Sequence, residues 1–157
     1  MLKVQIRKGE IIPFDFTRNA PELCGKDFLN DGEIVGEIKI SGKVEDVGGR
    51  FLIRGKILCE KKFVCDRCLA DSTQSQVHKF FEELETVPDE DDLIDIEEIV
   101  LDTMAAGQSL KNLCRDDCKG LCPVCGSNLN DGDCGCNRKE IDPRFAVLQD
   151  FKSIGEV

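Results

Sequence analysis

The chain has 157 residues, a formal net charge of −10 and no tryptophan or tyrosine. That charge excludes non-specific nucleic-acid binding by the chain as a whole, because such binding needs lysine and arginine to displace counterions. The length suits one domain with an appendage, no stretch approaches the ~20 apolar residues of a membrane helix, and Lys3, Arg7 and Lys8 interrupt any apolar leader. A cytoplasmic location is expected, where thiols stay reduced.

Residues 2–7 alternate and predict a short strand, with 10–16 as its partner across Gly9. Residues 17–31 read as a loop, in which Cys24 is a small packed residue without ligand duty. From Ile34 to Val44 apolar and polar residues alternate, and they do so again from Arg50 to Phe63, around a turn at 45–49. This is an antiparallel hairpin with one buried and one solvated face. Its outward face carries Lys39, Lys43, Arg50, Arg54, Lys56 and Lys62. An ordinary solvated strand face accounts for these bases, and a docking stripe for RNA phosphates is the functional alternative.

Cys65-Asp66-Arg67-Cys68 ends the second strand. In a reduced compartment this spacing is a metal half-site, a redox pair or a plain turn. A redox pair normally places its first cysteine at a helix N-terminus, and no helical pattern follows here. Gln74–Glu85 predicts a third strand, and His78 beside Phe80 receives no role, having no catalytic partner nearby. Eleven of the 31 acids fall between Phe80 and Leu110 with no lysine or arginine among them, so the remaining twenty balance the 21 bases. Pro88 ends the strand, and Asp91 or Asp92 is placed to cap a helix over 93–105 built on Leu93, Ile96, Ile99, Val100 and Met104, with Gly107 at its end. Its acids Glu97, Glu98 and Asp102 form either a solvated face or a surface for a basic partner.

Six of the ten cysteines lie between Cys114 and Cys136. In Cys122-Pro123-Val124-Cys125-Gly126 the two-residue spacing lets both sulfurs reach one ion from a tight turn, Pro123 presets φ, and Gly126 accepts a positive φ. A structural zinc takes four ligands in a tetrahedron, so a second pair is required. Cys134 and Cys136 are the first choice and Cys114 and Cys118 the second; two ions sharing six thiolates is a third arrangement. Cys65 and Cys68 are a possible extra half-site, joined to Cys114 and Cys118 across the fold. After this cluster Asp142-Pro143-Arg144 reads as a helix start, with Phe145, Leu148 and Phe151 as its apolar stripe.

The order Cys65-Asp66-Arg67-Cys68-Leu69, then Ile94-Asp95-Ile96-Glu97-Glu98, then Cys114…Cys118-Lys119-Gly120-Leu121-Cys122-Pro123-Val124-Cys125-Gly126…Leu129-Asn130…Cys134-Gly135-Cys136…Ile141-Asp142-Pro143-Arg144 resembles the YceD family from about residue 30 onward. The resemblance implies a bacterial factor needed for accumulation of the large-subunit (23S) ribosomal RNA, with relatives in chloroplasts. It implies as partner a large-subunit precursor, met either through a basic ribosomal protein or through 23S rRNA.

The residues themselves contain no nucleophile with a base, no phosphate-cradling loop and no open metal site, so a non-enzymatic protein is expected, with no small-molecule substrate and no membrane. A thiol redox or metal-sensing protein using the C-x-x-C pairs is the alternative; a zinc-ribbon regulator lacks the basic recognition helix it would need. The expected fold is α+β. A small antiparallel sheet or partly closed barrel spans 1–86, an acidic linker and amphipathic helix 87–110, and a cysteine-rich zinc-binding tail with a short terminal helix 111–157.

Overall fold

The computed structural model describes residues 1–7, 9–25, 28–29, 32–85, 93–138 and 144. Strands β1 (Lys3–Gln5) and β2 (Ile11–Asn19) are followed by a one-turn helix α1 (Ala20–Leu23). The long strands β3 (Glu33–Val47), β4 (Arg50–Val64) and β5 (Asp71–Leu84) come next, then β6 (Leu93–Asp95) and α2 (Glu97–Ala106). The four long strands pair antiparallel in the order β2-β3-β4-β5. The sheet is open, with β2 and β5 as its edges, and does not close into a barrel. Antiparallel strands with few helices give the α+β arrangement. No helix among the described residues is long and apolar enough to cross a membrane.

The hairpin read from the alternation is β3–β4, and its inward residues Ile34, Ile38, Ile40, Val44, Phe51, Ile53, Ile57 and Cys59 are all buried. A bulge interrupts the pairing: Val35 opposes Glu60 and Lys39 opposes Leu58, so Gly36–Ile38 share Cys59 as their opposite number. Gly36 takes φ +70° there, a left-handed conformation that L side chains disfavour. Two extra residues are an even insertion, so the alternation keeps its phase and Ile34 and Ile38 both face the core.

The centre of the sheet is a row of four residues: Phe14 pairs with Gly42, Gly42 with Gly55, and Gly55 with Phe80. The two glycines leave a floor over which the rings reach from both edges, with centroids 6.4 Å apart and planes inclined by 21°. A Cβ on Gly42 would meet Phe14 Cζ at 2.6 Å, and one on Gly55 would meet Phe80 Cζ at 2.5 Å. The rings bury the backbone that the glycines leave bare.

Over this face lies a second layer. β1 pairs with β6, Val4 opposite Ile94, and not with residues 10–16 as the sequence suggests. The reason is burial: Leu2, Val4 and Ile6 join Ile94, Ile96, Val100 and Met104 in one core with the sheet's inner residues. Helix α2 begins at Glu97, four residues later than predicted, because Leu93–Asp95 is used as strand β6. The Asp95 carboxylate accepts a hydrogen bond from the Glu97 amide at 3.0 Å, and Gly107 closes the helix with its amide on the Thr103 carbonyl. A Cβ on Gly107 would meet His78 Nδ1 at 2.2 Å, so this end of the helix sits on the His78 ring. Burial lowers the His78 pKa, and the ring is a packing group. Residues 17–23, expected as loop, extend β2 and form α1. The helix expected after Asp142-Pro143, and the caps Asp91 and Asp92, lie outside the described residues.

Gly55→Ala is expected to destabilise the fold by about 2 kcal/mol through overpacking against Phe80. Backbone entropy alone would make the same change stabilising in a strand. Urea unfolding decides between them: a Gly55→Ala protein as stable as wild type, or more so, contradicts the proposed packing of the row.

Candidate metal centres

Two turns of the same design carry cysteine pairs. In the first, the Leu69 amide donates to the Cys65 carbonyl at 2.9 Å; in the second, the Gly126 amide donates to the Cys122 carbonyl at 2.9 Å. In both, the residue after the second cysteine is left-handed, with φ +58° at Leu69 and +75° at Gly126. Leucine at that position conceals the first turn, since glycine is the residue the conformation favours.

The first turn meets the tail. Cys65, Cys68, Cys114 and Cys118 bring their sulfurs within 4.8 Å of one another, with Cys65 3.9 Å from Cys118 and Cys68 3.7 Å from Cys114. A tetrahedron of sulfurs ~2.3 Å from a central zinc has edges of ~3.8 Å, so the spacing fits one such ion. The sulfurs stand too far apart for a disulfide bond, which is ~2.05 Å, and all ten cysteines are free. Three of these four are buried, with Leu113 and Leu121 packed on them.

The tail is held here by polar contacts from the sheet. Asn112 donates its amide to Asp66 Oδ2 at 2.7 Å, and its carbonyl accepts from the Asp66 amide at 2.8 Å. Gln74 Nε2 donates to the carbonyls of Leu113 and Cys114 at 2.9 and 3.0 Å, and Arg67 Nη1 to that of Cys118 at 2.8 Å. Lys61 is fully buried, donates to Asn112 Oδ1 at 2.9 Å, and lies 6.0 Å from the centre of the Phe63 ring. Sequence reasoning missed these supports. The one available signal was phase, which puts Lys61 on the same strand face as Cys59 and Phe63.

The second cluster is Cys122, Cys125, Cys134 and Cys136, again with all sulfurs within 4.8 Å. It is more open: Cys122 is buried, Cys125 is exposed, and Cys134 and Cys136 lie between. Cys114 and Cys118, the second choice to complete this set, belong instead to the first cluster with Cys65 and Cys68. No sulfur is shared between the two groups of four. A turn closed by the Cys118 amide on the Arg115 carbonyl at 3.1 Å lies between Cys114 and Cys118.

Within each cluster the crowded thiols differ in acidity. Backbone amides of Cys114 and Cys68 lower Cys65 to about 6, and the Ser127 hydroxyl lowers Cys125 to about 6. Burial, with the neighbouring sulfurs, pushes Cys114 up to about 12; the Cys125 and Cys134 sulfurs push Cys136 up to about 12. The Ala70 amide favours a thiolate at Cys68, but burial and the Cys65 sulfur outweigh it and raise the pKa. Cys134 is raised likewise, the Cys122 sulfur and burial outweighing the Cys136 amide. Four like charges within one ion's reach cannot all form unaided, and a divalent cation removes the conflict.

The remaining predicted residues are surface groups. Arg50 pairs with Glu83 and Arg54 with Glu45, each at 2.9 Å, while Lys56 has no ion pair among the described residues. Glu97 holds the N-terminal amine of Met1; Glu98 and Asp102 line a shallow depression on α2 with Glu82.

The family model for large ribosomal RNA subunit accumulation protein YceD matches residues 53–152, a stretch containing both clusters. The chain belongs to the YceD family. An uncharacterized protein of Mycobacterium bovis is 31% identical over 90% of this chain and 74% of its own length. A second, from Mycobacterium leprae, is 28% identical over 73% of this chain and 58% of its own. The chloroplastic large ribosomal RNA subunit accumulation protein YCED homolog 1 of Arabidopsis thaliana is 34% identical over 38% of this chain and 18% of its own length. No solved structure matches the chain.

The purified protein is expected to carry two ions, and Cys68→Ser and Cys136→Ser one each, by metal analysis against protein concentration; two ions retained by either variant contradicts the assignment. Metal takes the thiolate and acid restores the thiol, so lowering pH opposes loading. In each cluster two thiols, Cys68 with Cys114 and Cys134 with Cys136, have pKa values above the ordinary 9.0 and hold their protons at pH 7–8. Affinity should therefore fall at least about a hundredfold per site from pH 8 to pH 7, at least two protons being returned. Competition with a chelator of known affinity measures this, and a pH-independent affinity contradicts it.

Proposed function

We propose that this protein is a non-enzymatic factor that supports accumulation of large-subunit (23S) ribosomal RNA by binding precursor RNA on the outer face of its sheet, with one zinc ion fixing the tail to that sheet and a second ordering the tail itself. Zinc is the reading for the ions because tetrahedral all-thiolate sites of this size suit it. When bound, a four-coordinate zinc supplies rigidity and keeps no position open for chemistry. The arrangement serves metal holding better than thiol exchange, which needs one reactive pair rather than four converging sulfurs.

The observation that carries the RNA reading is the placement of charge. The acids Glu82, Glu98 and Asp102 lie on the helix side of the sheet, and the hairpin's Lys39, Lys43, Arg50, Arg54 and Lys56 lie on the other, while Lys61 is buried on the inner face. On the outer face Lys56 stands opposite Lys79, beside the rows Lys39–Leu58–Val77 and Arg54–Phe81. Lys39, Lys56 and Lys79 have no ion pair among the described residues, whereas Glu45 and Glu83 engage Lys43, Arg54 and Arg50. Phe81 is 60% exposed and Val77 58%. Unpaired lysines around a bare aromatic suit phosphates and an unstacked base. The net charge, which opposes RNA binding by the chain as a whole, does not oppose it at this patch. The carboxylates of Glu98 and Asp102, which have no ion pair among the described residues, favour a second reading, a surface for a basic ribosomal protein.

Binding to a labelled single-stranded segment of precursor rRNA tests this. Lys56→Ala/Lys79→Ala is expected to weaken it at least about tenfold and to flatten the slope of log affinity against log salt by about 1.4, the share of two phosphate contacts on a single strand. Phe81→Ala is expected to cost about 1–3 kcal/mol. RNA binding unchanged in both variants sinks the RNA reading. Loss of ribosomal-protein binding in Glu98→Gln/Asp102→Asn would then establish the second.

A further inference from the structure

We propose that the two metal centres are energetically coupled through Asn130, so that filling either one raises the affinity of the other; this rests on the metal reading above. By sequence Asn130 belongs to the second site, in the loop between Cys125 and Cys134. By contact it serves the first. Its Nδ2 donates to Cys118 Sγ at 3.4 Å. Its Oδ1 accepts from the Lys119 amide at 2.9 Å and from Arg115 Nη2 at 2.8 Å, both in the segment that carries Cys114 and Cys118. Donors to a ligating sulfur orient it and steady its charge, and loss of such an outer contact typically costs about 10–100-fold in metal affinity.

The position of Asn130 is set in turn by the second site's loop. Asn128 Oδ1 accepts from the Asn130 amide at 3.0 Å and from its Nδ2 at 2.8 Å. The Leu129 amide donates to the Gly120 carbonyl at 2.9 Å, and Leu121 and Asn128 form an isolated bridge. Residues 126–133 bury almost nothing apolar, so their order must come from the ion that clamps Cys125 to Cys134. An ion in the second site closes the loop and delivers Asn130 to Cys118. An ion in the first site fixes the 114–118 turn, which receives Asn130 Oδ1 and pre-forms the loop. The two statements are one coupling free energy seen from each end.

Cobalt(II) is the probe, titrated into the full chain under chelator competition while the cobalt–thiolate absorption is followed. Removing the second site with Cys125→Ser/Cys134→Ser is expected to weaken the first about tenfold or more. Asn130→Asp keeps both acceptor bonds but loses the Nδ2 donor to Cys118 and to Asn128 Oδ1, the backbone bond to Asn128 remaining. It should still bind two ions, shift the charge-transfer band of the first site, and weaken that site by a similar factor. Combined with the Cys125→Ser/Cys134→Ser change it should cost little more, because the loop has already released it. Asn130→Ala provides the same comparison if aspartate disturbs the fold by its charge. Two ions bound independently, or an Asn130 penalty that is the same in both backgrounds, overturns the coupling and leaves the metal reading intact. A wild-type chain that binds no cobalt overturns both.

Discussion

Four sulfurs that cannot all be charged without a cation are the constraint from which the rest of the tail follows. Cys65 and Cys68 are fixed by the end of β4, and Cys114 and Cys118 must come to them. The route is laid by Asp66, Arg67 and Gln74, which take up the backbone of 112–118 so that its polar groups are paired as they are buried. The described residues 119–138 then follow from that anchored point. The second cluster has no sheet to lean on and depends on its own turn, its own sulfurs and the loop that returns Asn130 to the first.

The sheet solves a separate problem. Four long strands need a filled inner face, and the layer above it is thin: two short strands and a three-turn helix. Phe14 and Phe80 compensate by lying across the glycines at the centre, where a taller side chain on the floor would hold the layers apart. With one face so closed, most charged groups of the hairpin occupy the other, and Lys61 is the inward exception. The separation of the outer lysines from the acids of α2 is thus a by-product of packing.

Much of this was legible from the chain because period-two alternation over eleven residues has few other meanings. The β3–β4 hairpin and β5 were readable for that reason, the helix end from Gly107, and the Cys122–Cys125 turn from its two-residue spacing with Pro123 and Gly126. What was not legible depended on contacts between segments far apart in sequence. Residues 2–7 could pair with either neighbour by pattern, and only the shared burial of Val4 and Ile94 decides for β6. Leu93 and Ile96 fit a helical stripe as well as a strand followed by a helix start. Cys65-x-x-Cys68 looked like half of something, and Leu69 disguised a turn that glycine would have announced. Asn130 looked like one polar loop residue among several, since its value lies in a sulfur twelve positions away.

The first cluster also sets a time order on the growing chain. Cys68 and Cys114 are 46 positions apart, and Cys65 and Cys118 are 53 apart. At about 5–20 residues per second, a ribosome takes roughly 2–10 s to supply the second pair after the first has emerged. Strands β5 and β6 and helix α2 are all made within that interval, so the sheet is completed while the thiols of Cys65 and Cys68 wait at the end of β4. Any ion that the first cluster holds is therefore captured only after every strand of the sheet has been made.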